Sequence, residues 1–192
     1  MKLMEKSEKI IQWIDDSIDG IEISSDDRPR IVAGCFDIAL ENQKSIIYLI
    51  KQKLYGSAFS LVRVQFEAYV RGLWLQHCAN DVDIANFKKD KLPKTLASMI
   101  EEIEKIDGYK DGVISKAKNA GWSPMNSFTH TGFRQVVRRN TVSFIEPNYG
   151  VAEIEEVIKF ANACGLLSFA EISFLAKNPS LSQEILETIK EQ

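Results

Sequence analysis

Histidine and cysteine are scarce in this sequence, and their scarcity excludes several kinds of site. The 192 residues include two histidines and three cysteines. The cysteines, Cys35, Cys78 and Cys164, lie far apart in apolar sequence, which indicates reduced, buried thiols rather than a disulfide framework or a metal cluster. The chain also lacks a glycine-rich phosphate loop, a His-Glu-x-x-His motif and Cys or His pairs at ligand spacing. Metal hydrolase, P-loop and Rossmann functions are therefore excluded, and we expect neither a metal nor a cofactor.

No segment has the pattern of a signal peptide or the length of a membrane span. The N-terminus becomes amphipathic at once and has no apolar core followed by small residues. The most apolar stretch, residues 161–176, contains Asn162 and Glu171 and is too short to cross a bilayer. These features predict a cytoplasmic protein without membrane contact.

A large excess of charge of one sign is absent as well. The chain has 24 Lys and Arg against 27 Asp and Glu, so its formal net charge is −3, and 45% of its residues are apolar. This composition is that of an ordinary soluble globular protein and excludes disorder and collagen-like structure. The mildly acidic balance disfavours a protein that attracts nucleic acid through its total charge. The length predicts one domain that spans residues 1–192.

Helical periodicity dominates the sequence. Apolar residues recur at steps of three and four through nearly every long segment, which predicts an all-α, up-and-down bundle of about six to eight helices. Ser123 and Pro124 are predicted to be the N-cap and first residue of one helix, and residues 140–150 a loop. The predicted helices cover residues 3–18, 30–54, 57–78, 93–106, 111–119, 123–139, 151–177 and a short terminal segment from Pro179. Either Ser57 or Ser60 begins the third of them.

A row of charges interrupts the predicted helix 57–78, which is otherwise apolar on most of its circumference. Arg63, Glu67 and Arg71 follow at steps of four, and Ser60 lies one turn before them on the same face. Charge on a buried helix is unfavourable unless it is paired or serves a function. Two interpretations remain open: an Arg–Glu–Arg network that ties this helix to its neighbours, or the lining of a polar cleft.

A second polar row is predicted on helix 123–139. Asn126, His130, Arg134 and Arg138 also follow at steps of four and are expected to share one face. Gly132 lies among them, although glycine lowers helix propensity by about 1 kcal/mol relative to alanine, so we expect it to allow close approach of another backbone or of a ligand.

We expect the two rows to pack together into one site. Glu67 would then orient His130, and the arginines, Arg63, Arg71 and Arg134, would create a field suited to phosphate or carboxylate. Such a site suits general acid–base chemistry on a phosphodiester, with His130 as the proton shuttle and Glu67 and Arg63 beside it. It suits the binding of an anionic ligand without chemistry equally well.

Both rows resemble motifs of an uncharacterised bacterial family. The stretch from Arg63 to Trp74 is similar to that family's R-x-x-x-E-x-x-x-R-G-x-W helix. The stretch from Asn126 to Gly132, with Arg138-Arg139 behind it, resembles the family's N-S-[FY]-T-H-x-G…RR segment. The similarity extends over most of the chain, but the family is a domain of unknown function and implies no activity.

A more remote resemblance links the helical pattern to HEPN ribonucleases of toxin–antitoxin and phage-defence systems. Those proteins use an Arg, a spacer of about four to six residues and a His, and the resemblance implies a homodimer and metal-independent RNA cleavage. Arg71 and His77 have this spacing, but Gly72 replaces the polar residue that follows the Arg, and six helical steps place the two side chains about 120° apart. His77 is more simply interpreted as a helix C-terminal histidine that interacts with the last carbonyls.

Three functions therefore compete. The first is an RNA- or nucleotide-acting protein of the HEPN kind in a bacterial defence setting. The second is a non-enzymatic homodimeric interaction module whose polar rows are structural, with the apolar face of helix 151–177 available to a partner helix. The third is a pocket for an anionic small molecule bound by Arg71, Asn126, Arg134 and Arg138.

Overall fold

Almost every segment with helical periodicity forms a helix. The computed structural model describes residues 2–190; Met1, Glu191 and Gln192, which the one-domain prediction includes, lie outside the described residues. The described part contains nine helices and no strand, and the loop after the seventh helix holds a lone β-bridge between Asn140 and Ile145. The all-α bundle is confirmed, with one helix more than the upper end of the predicted range. The helices are α1 (Lys2–Ile18), α2 (Asp27–Lys51), α3 (Tyr55–His77), α4 (Asp81–Phe87), α5 (Leu96–Ile103), α6 (Val113–Thr129), α7 (Phe133–Val137), α8 (Val151–Leu175) and α9 (Pro179–Lys190).

The short helix α4 was not predicted. It lies between the predicted helices 57–78 and 93–106, and Asn80 is its N-cap. Its side chain accepts a hydrogen bond from the backbone N–H of Asp83, and the Asp83 carboxylate accepts one from the backbone N–H of Asn80. This reciprocal capping box is visible in the sequence as Asn-x-x-Asp.

The predicted boundary at Ser123-Pro124 is wrong. Pro124 lies inside α6, which joins the two predicted helices 111–119 and 123–139 and ends at Thr129. The chain then turns through Thr131, whose φ of +53° is left-handed, and begins the separate five-residue helix α7. Burial of Met125 and Phe128 in the core continues the helix through the proline, so tertiary packing outweighs the local signal.

Helix α3 lies at the centre of the fold and packs against α2, α5, α6 and α8. Its buried face includes Phe66, Leu73 and Trp74. Gly72 allows α2 to come close, since a Cβ at this position would lie 2.6 Å from the Cε1 atom of the fully buried Phe36 ring. The glycine that follows Arg71 is therefore required by helix packing.

The prediction that no segment has the length of a membrane span is wrong: helix α8 has this length and an apolar composition, and it is the one such helix in the described part of the chain. More than half of the window that meets this criterion is buried by the protein itself, as in the core helix of a bundle. Buried polar groups also fix its position: Gln43 of α2 donates to Asn162 of α8, which donates to Ser7 of α1. Such a network favours one register of the three helices.

Candidate functional site

Arg63 is the centre of a polar cluster that joins α3 to the end of α6. Its Nε atom donates to Glu67 Oε1 at 2.6 Å. Its terminal nitrogen lies 2.6 Å from Asn126 Oδ1 and 2.8 Å from His130 Nε2. The guanidinium also lies over the Trp122 ring, 4.7 Å from the ring centroid. The two helices thus bring together residues from both polar rows, but Arg63 lies between Glu67 and His130, and Glu67 does not orient His130 directly.

The contact with Arg63 determines which nitrogen of the neutral His130 ring carries the proton. An arginine side chain has hydrogen-bond donors and no acceptor, so the Nε2 atom of His130 must accept. The proton of the neutral ring is then on Nδ1, which is left as a donor. His130 is the C-cap of α6 and is exposed, so this donor is accessible to a ligand.

Arg71 is one turn further along α3 and differs from Arg63 in its surroundings. It is half-buried, and within residues 2–190 its guanidinium makes neither a hydrogen bond nor an ion pair. It lines a cavity of about 280 Å³ together with Arg63, Glu67 and His130. We call this space the arginine cavity.

The arginine cavity is also lined by residues that the sequence analysis did not place in the site. Cys35 of α2 and Phe87 of α4 line it, and neither helix carries a polar row. Burial raises the pKa of the Cys35 thiol to about 11, and the nearby Arg71 charge partly opposes this shift. Cys35 is therefore a neutral wall of the cavity at ordinary pH. Trp122 was also missed, although its position four residues before Asn126 places it on the same helical face.

Arg134 and Arg138 do not join this cluster, and the prediction of one continuous helical face is wrong. Because α6 ends at Thr129 and Thr131 turns the chain, both arginines belong to α7 or its end and line a different cavity. Gly132 does allow close approach: a Cβ there would lie 2.5 Å from the Oγ atom of Ser127 and 3.1 Å from its Cα atom and carbonyl oxygen. The neighbour is thus both the side chain and the backbone of Ser127.

His77 lies at the C-terminus of α3, as predicted, but the partner of its ring is a side chain and not the last carbonyls. Its Nε2 atom lies 3.3 Å from Glu171 Oε2. The other oxygen of Glu171 accepts a hydrogen bond from the Tyr109 hydroxyl at 2.9 Å. His77 therefore belongs to a link between α3 and α8, whereas Arg71 lines the arginine cavity with residues of α2 and α6.

The geometry defines a class: an all-helical bundle with a small, arginine-lined cavity at the contact of its central helix with α2, α4 and α6. In the described part of the chain, no three His, Cys, Asp or Glu side chains converge as metal ligands would. The chain belongs to DUF6988, a family of unknown function, which it matches over residues 36–192. This match confirms the prediction that the chain belongs to an uncharacterised family. The comparisons with curated proteins and with solved structures found no match.

Proposed function

We propose that the arginine cavity binds a phosphate group of an RNA or a nucleotide. The observation that carries this proposal is the state of Arg71, a half-buried residue that lines the cavity and whose guanidinium has neither a hydrogen-bond nor an ion-pair partner in the described part of the chain. Partial burial of an unpaired charge is unfavourable. A phosphate would satisfy it with two parallel, charge-assisted hydrogen bonds, a geometry that arginine favours.

The neighbours of Arg71 suit an anion as well. Glu67 is neutralised by Arg63, so the three charges on this face leave one net positive charge at the cavity. The Nδ1–H group of His130 supplies an uncharged donor. The volume of about 280 Å³ lies just below that of pockets which enclose whole ligands, and it suits one phosphoryl group with part of a sugar. Phe87 offers a half-buried ring on which a base can stack.

Binding, and not cleavage, is the activity that the described geometry supports best. Metal-independent cleavage of RNA needs a base that accepts the ribose hydroxyl proton. The Nε2 atom of His130 is occupied by Arg63, so this role would require that contact to open. The resemblance to HEPN proteins alone extends the proposal to a homodimer in a bacterial phage-defence or toxin–antitoxin system.

A non-enzymatic interaction module is the second candidate, and the Arg63 cluster favours it. Every contact of the Arg63 guanidinium joins α3 either to itself or to α6, as a structural network would. In this alternative the polar rows stabilise the bundle, and Arg71 faces the cavity without a ligand. The two candidates differ in one measurable property, which is whether Arg71 contributes to anion binding.

The direct test is equilibrium binding of a short fluorescein-labelled RNA, measured by anisotropy, with competition by adenosine monophosphate and by sulfate. Arg71→Gln should weaken RNA binding about tenfold or more, since it removes charge-assisted hydrogen bonds. Arg30→Gln is the matched control, because Arg30 is exposed on α2, does not line the cavity and carries the same charge. Equal losses in both variants would show only a general field effect and refute the proposal.

A parallel incubation with total RNA tests for cleavage. If the protein cleaves RNA at this site, His130→Ala and Arg63→Ala should abolish the products seen with the unmodified chain. Cleavage that persists equally in both variants would rule out these residues as its catalytic groups.

A further inference from the structure

A second cavity is also lined by residues of α3 and α6, and it shares no lining residue with the arginine cavity. Its volume is about 610 Å³, within the range of pockets that enclose small organic ligands. It lies among α3, α6, α7 and α8, and we call it the α7 cavity. Its interior is lined by apolar side chains from three of these helices: Phe59, Val62, Met125, Phe128, Val157 and Phe160.

The apolar interior of the α7 cavity favours a ligand with an apolar body. The rings of Phe59 and Phe128 pack edge to face, with centroids 5.1 Å apart, and form a fixed aromatic wall. Small residues of α6 also line the cavity and leave room for an extended or flat molecule: Ala117, Ala120 and Gly121. An apolar body that enters this space is removed from water, and this is the main favourable contribution to its binding.

The charged residues that line the cavity come from α7, its C-cap and α8. Arg138 pairs with one oxygen of Glu153, and the other Glu153 oxygen accepts the backbone N–H of Gly150 at 2.9 Å. Arg134 is exposed, and its guanidinium has no partner in the described part of the chain. Glu156 is the remaining charged residue of the lining and is exposed as well.

We propose that the α7 cavity binds an amphipathic organic anion, in which an apolar chain or ring system carries one carboxylate or phosphate that pairs with Arg134. Arg139, next to Arg138 in the chain, adds a third positive charge to this end of the protein against the two carboxylates of Glu153 and Glu156. This balance favours an acidic head group over a basic one. The guanidinium of Arg134 can bind either acid through two hydrogen bonds.

The first test is calorimetric titration of the full chain with four probes that share one alkyl chain: dodecanoate, dodecyl phosphate, dodecanol and dodecylamine, each below its micelle concentration. The two acids should bind at least about tenfold more tightly than dodecanol, because they gain a charge-assisted pair. The acid that binds more tightly identifies the preferred head group. Binding of dodecylamine as tight as that of the acids, or no binding of the acids, would overturn the proposal.

Paired variants then test the residues. Arg134→Gln should weaken dodecanoate about tenfold and leave dodecanol unchanged, whereas Arg139→Gln, which removes a charge outside the cavity lining and leaves the pairing group in place, should weaken dodecanoate by a clearly smaller factor. Ala120→Trp fills the cavity and should abolish binding of both probes, whereas Asn119→Trp, on the neighbouring exposed residue, should not. Equal effects of the two arginine variants, or undiminished binding to Ala120→Trp, would contradict the assignment.

Methyl NMR of the unmodified chain gives a readout that needs no variant. Met125 lines the α7 cavity, whereas Met99 is buried in a separate part of the core on α5. Dodecanoate should shift the Met125 methyl signal and leave that of Met99 in place. A shift at Met99 with none at Met125 would place the ligand elsewhere and refute the proposal even if the calorimetry shows binding.

Discussion

Replacement of Gly72 by alanine tests the packing that holds the site together. An alanine Cβ at this position would lie 2.6 Å from Phe36 Cε1 and 2.9 Å from two further atoms of the same ring. Carbon atoms in contact are about 3.5–4.0 Å apart, so the ring would have to withdraw by about 1 Å. Phe36 is fully buried and packs against Tyr69 with ring centroids 6.3 Å apart, so it has little room to move.

The loss of stability in Gly72→Ala can be compared with the effect of the same substitution at a second helical glycine, Gly34. Overpacking of a core costs about 1–3 kcal/mol, and the better helix propensity of alanine returns about 1 kcal/mol. Gly34→Ala, on the exposed side of α2, places its new Cβ more than 4 Å from the packing neighbours in the described part of the chain and should show only the gain of about 1 kcal/mol. The free energies of unfolding of the two variants should therefore differ by about 1–3 kcal/mol.

Urea denaturation of the unmodified chain and both variants, followed by circular dichroism, measures this difference. A chain of this length loses about 2–4 °C of melting temperature per kcal/mol, so thermal melts provide an independent check. Gly34→Ala should be the most stable of the three proteins and Gly72→Ala the least stable. Equal stability of the two variants would show that α2 and α3 can separate without cost, and it would refute the packing that we describe.

Three further predictions concern individual contacts. Asn80→Ala removes the N-cap of α4 and should lower the free energy of unfolding by about 1 kcal/mol in urea denaturation, whereas no loss would contradict the capping box. Burial raises the pKa of the Cys35 thiol to about 11, so its rate of alkylation by iodoacetamide should rise about tenfold per pH unit up to that pH. Mass spectrometry measures this rate, and a rate that levels off near pH 9 would contradict the raised pKa. Hydrogen bonds from Lys94 and Trp74 lower the pKa of Glu102 below its ordinary value of 4.5, so this carboxylate stabilises the fold above pH 4.5 and loses its effect as the pH falls through the lowered pKa. Glu102→Gln should therefore be destabilising at pH 7, with a deficit that shrinks in acid; a deficit independent of pH would exclude this linkage.

The sequence predicts the helices well because the signals for them are local. Apolar periodicity places α1, α2, α3 and α8 within a few residues of their observed bounds, and the capping box at Asn80 shows that α4 was also readable. The prediction failed at Pro124, where a helix-starting residue lies inside a helix. There the buried side chains of Met125 and Phe128 decide the outcome, and burial is not a local property.

The candidate site was likewise predicted in part. The spacing of four residues predicts that Arg63 and Glu67 share one helical face, and likewise Asn126 and His130. The contact between these two pairs then follows from the expectation that the two helices pack together. The same step fails for Arg134, because the left-handed turn at Thr131 ends the helical face. A non-glycine residue in that conformation has no clear sequence signal. The lining from α2 and α4 depends on tertiary packing, which periodicity does not reveal.

The role of Arg71 is the central claim, and the NMR signal of its Nε–H group tests that role most directly. The unmodified chain, labelled with ¹⁵N in its arginines, is titrated with adenosine monophosphate, and Arg71→Gln identifies the signal. A phosphate bound in the arginine cavity should shift the Arg71 signal and slow its exchange with water, and it should leave the exposed Arg139 signal unchanged. An Arg71 signal that stays constant at saturating nucleotide would contradict phosphate binding at this site.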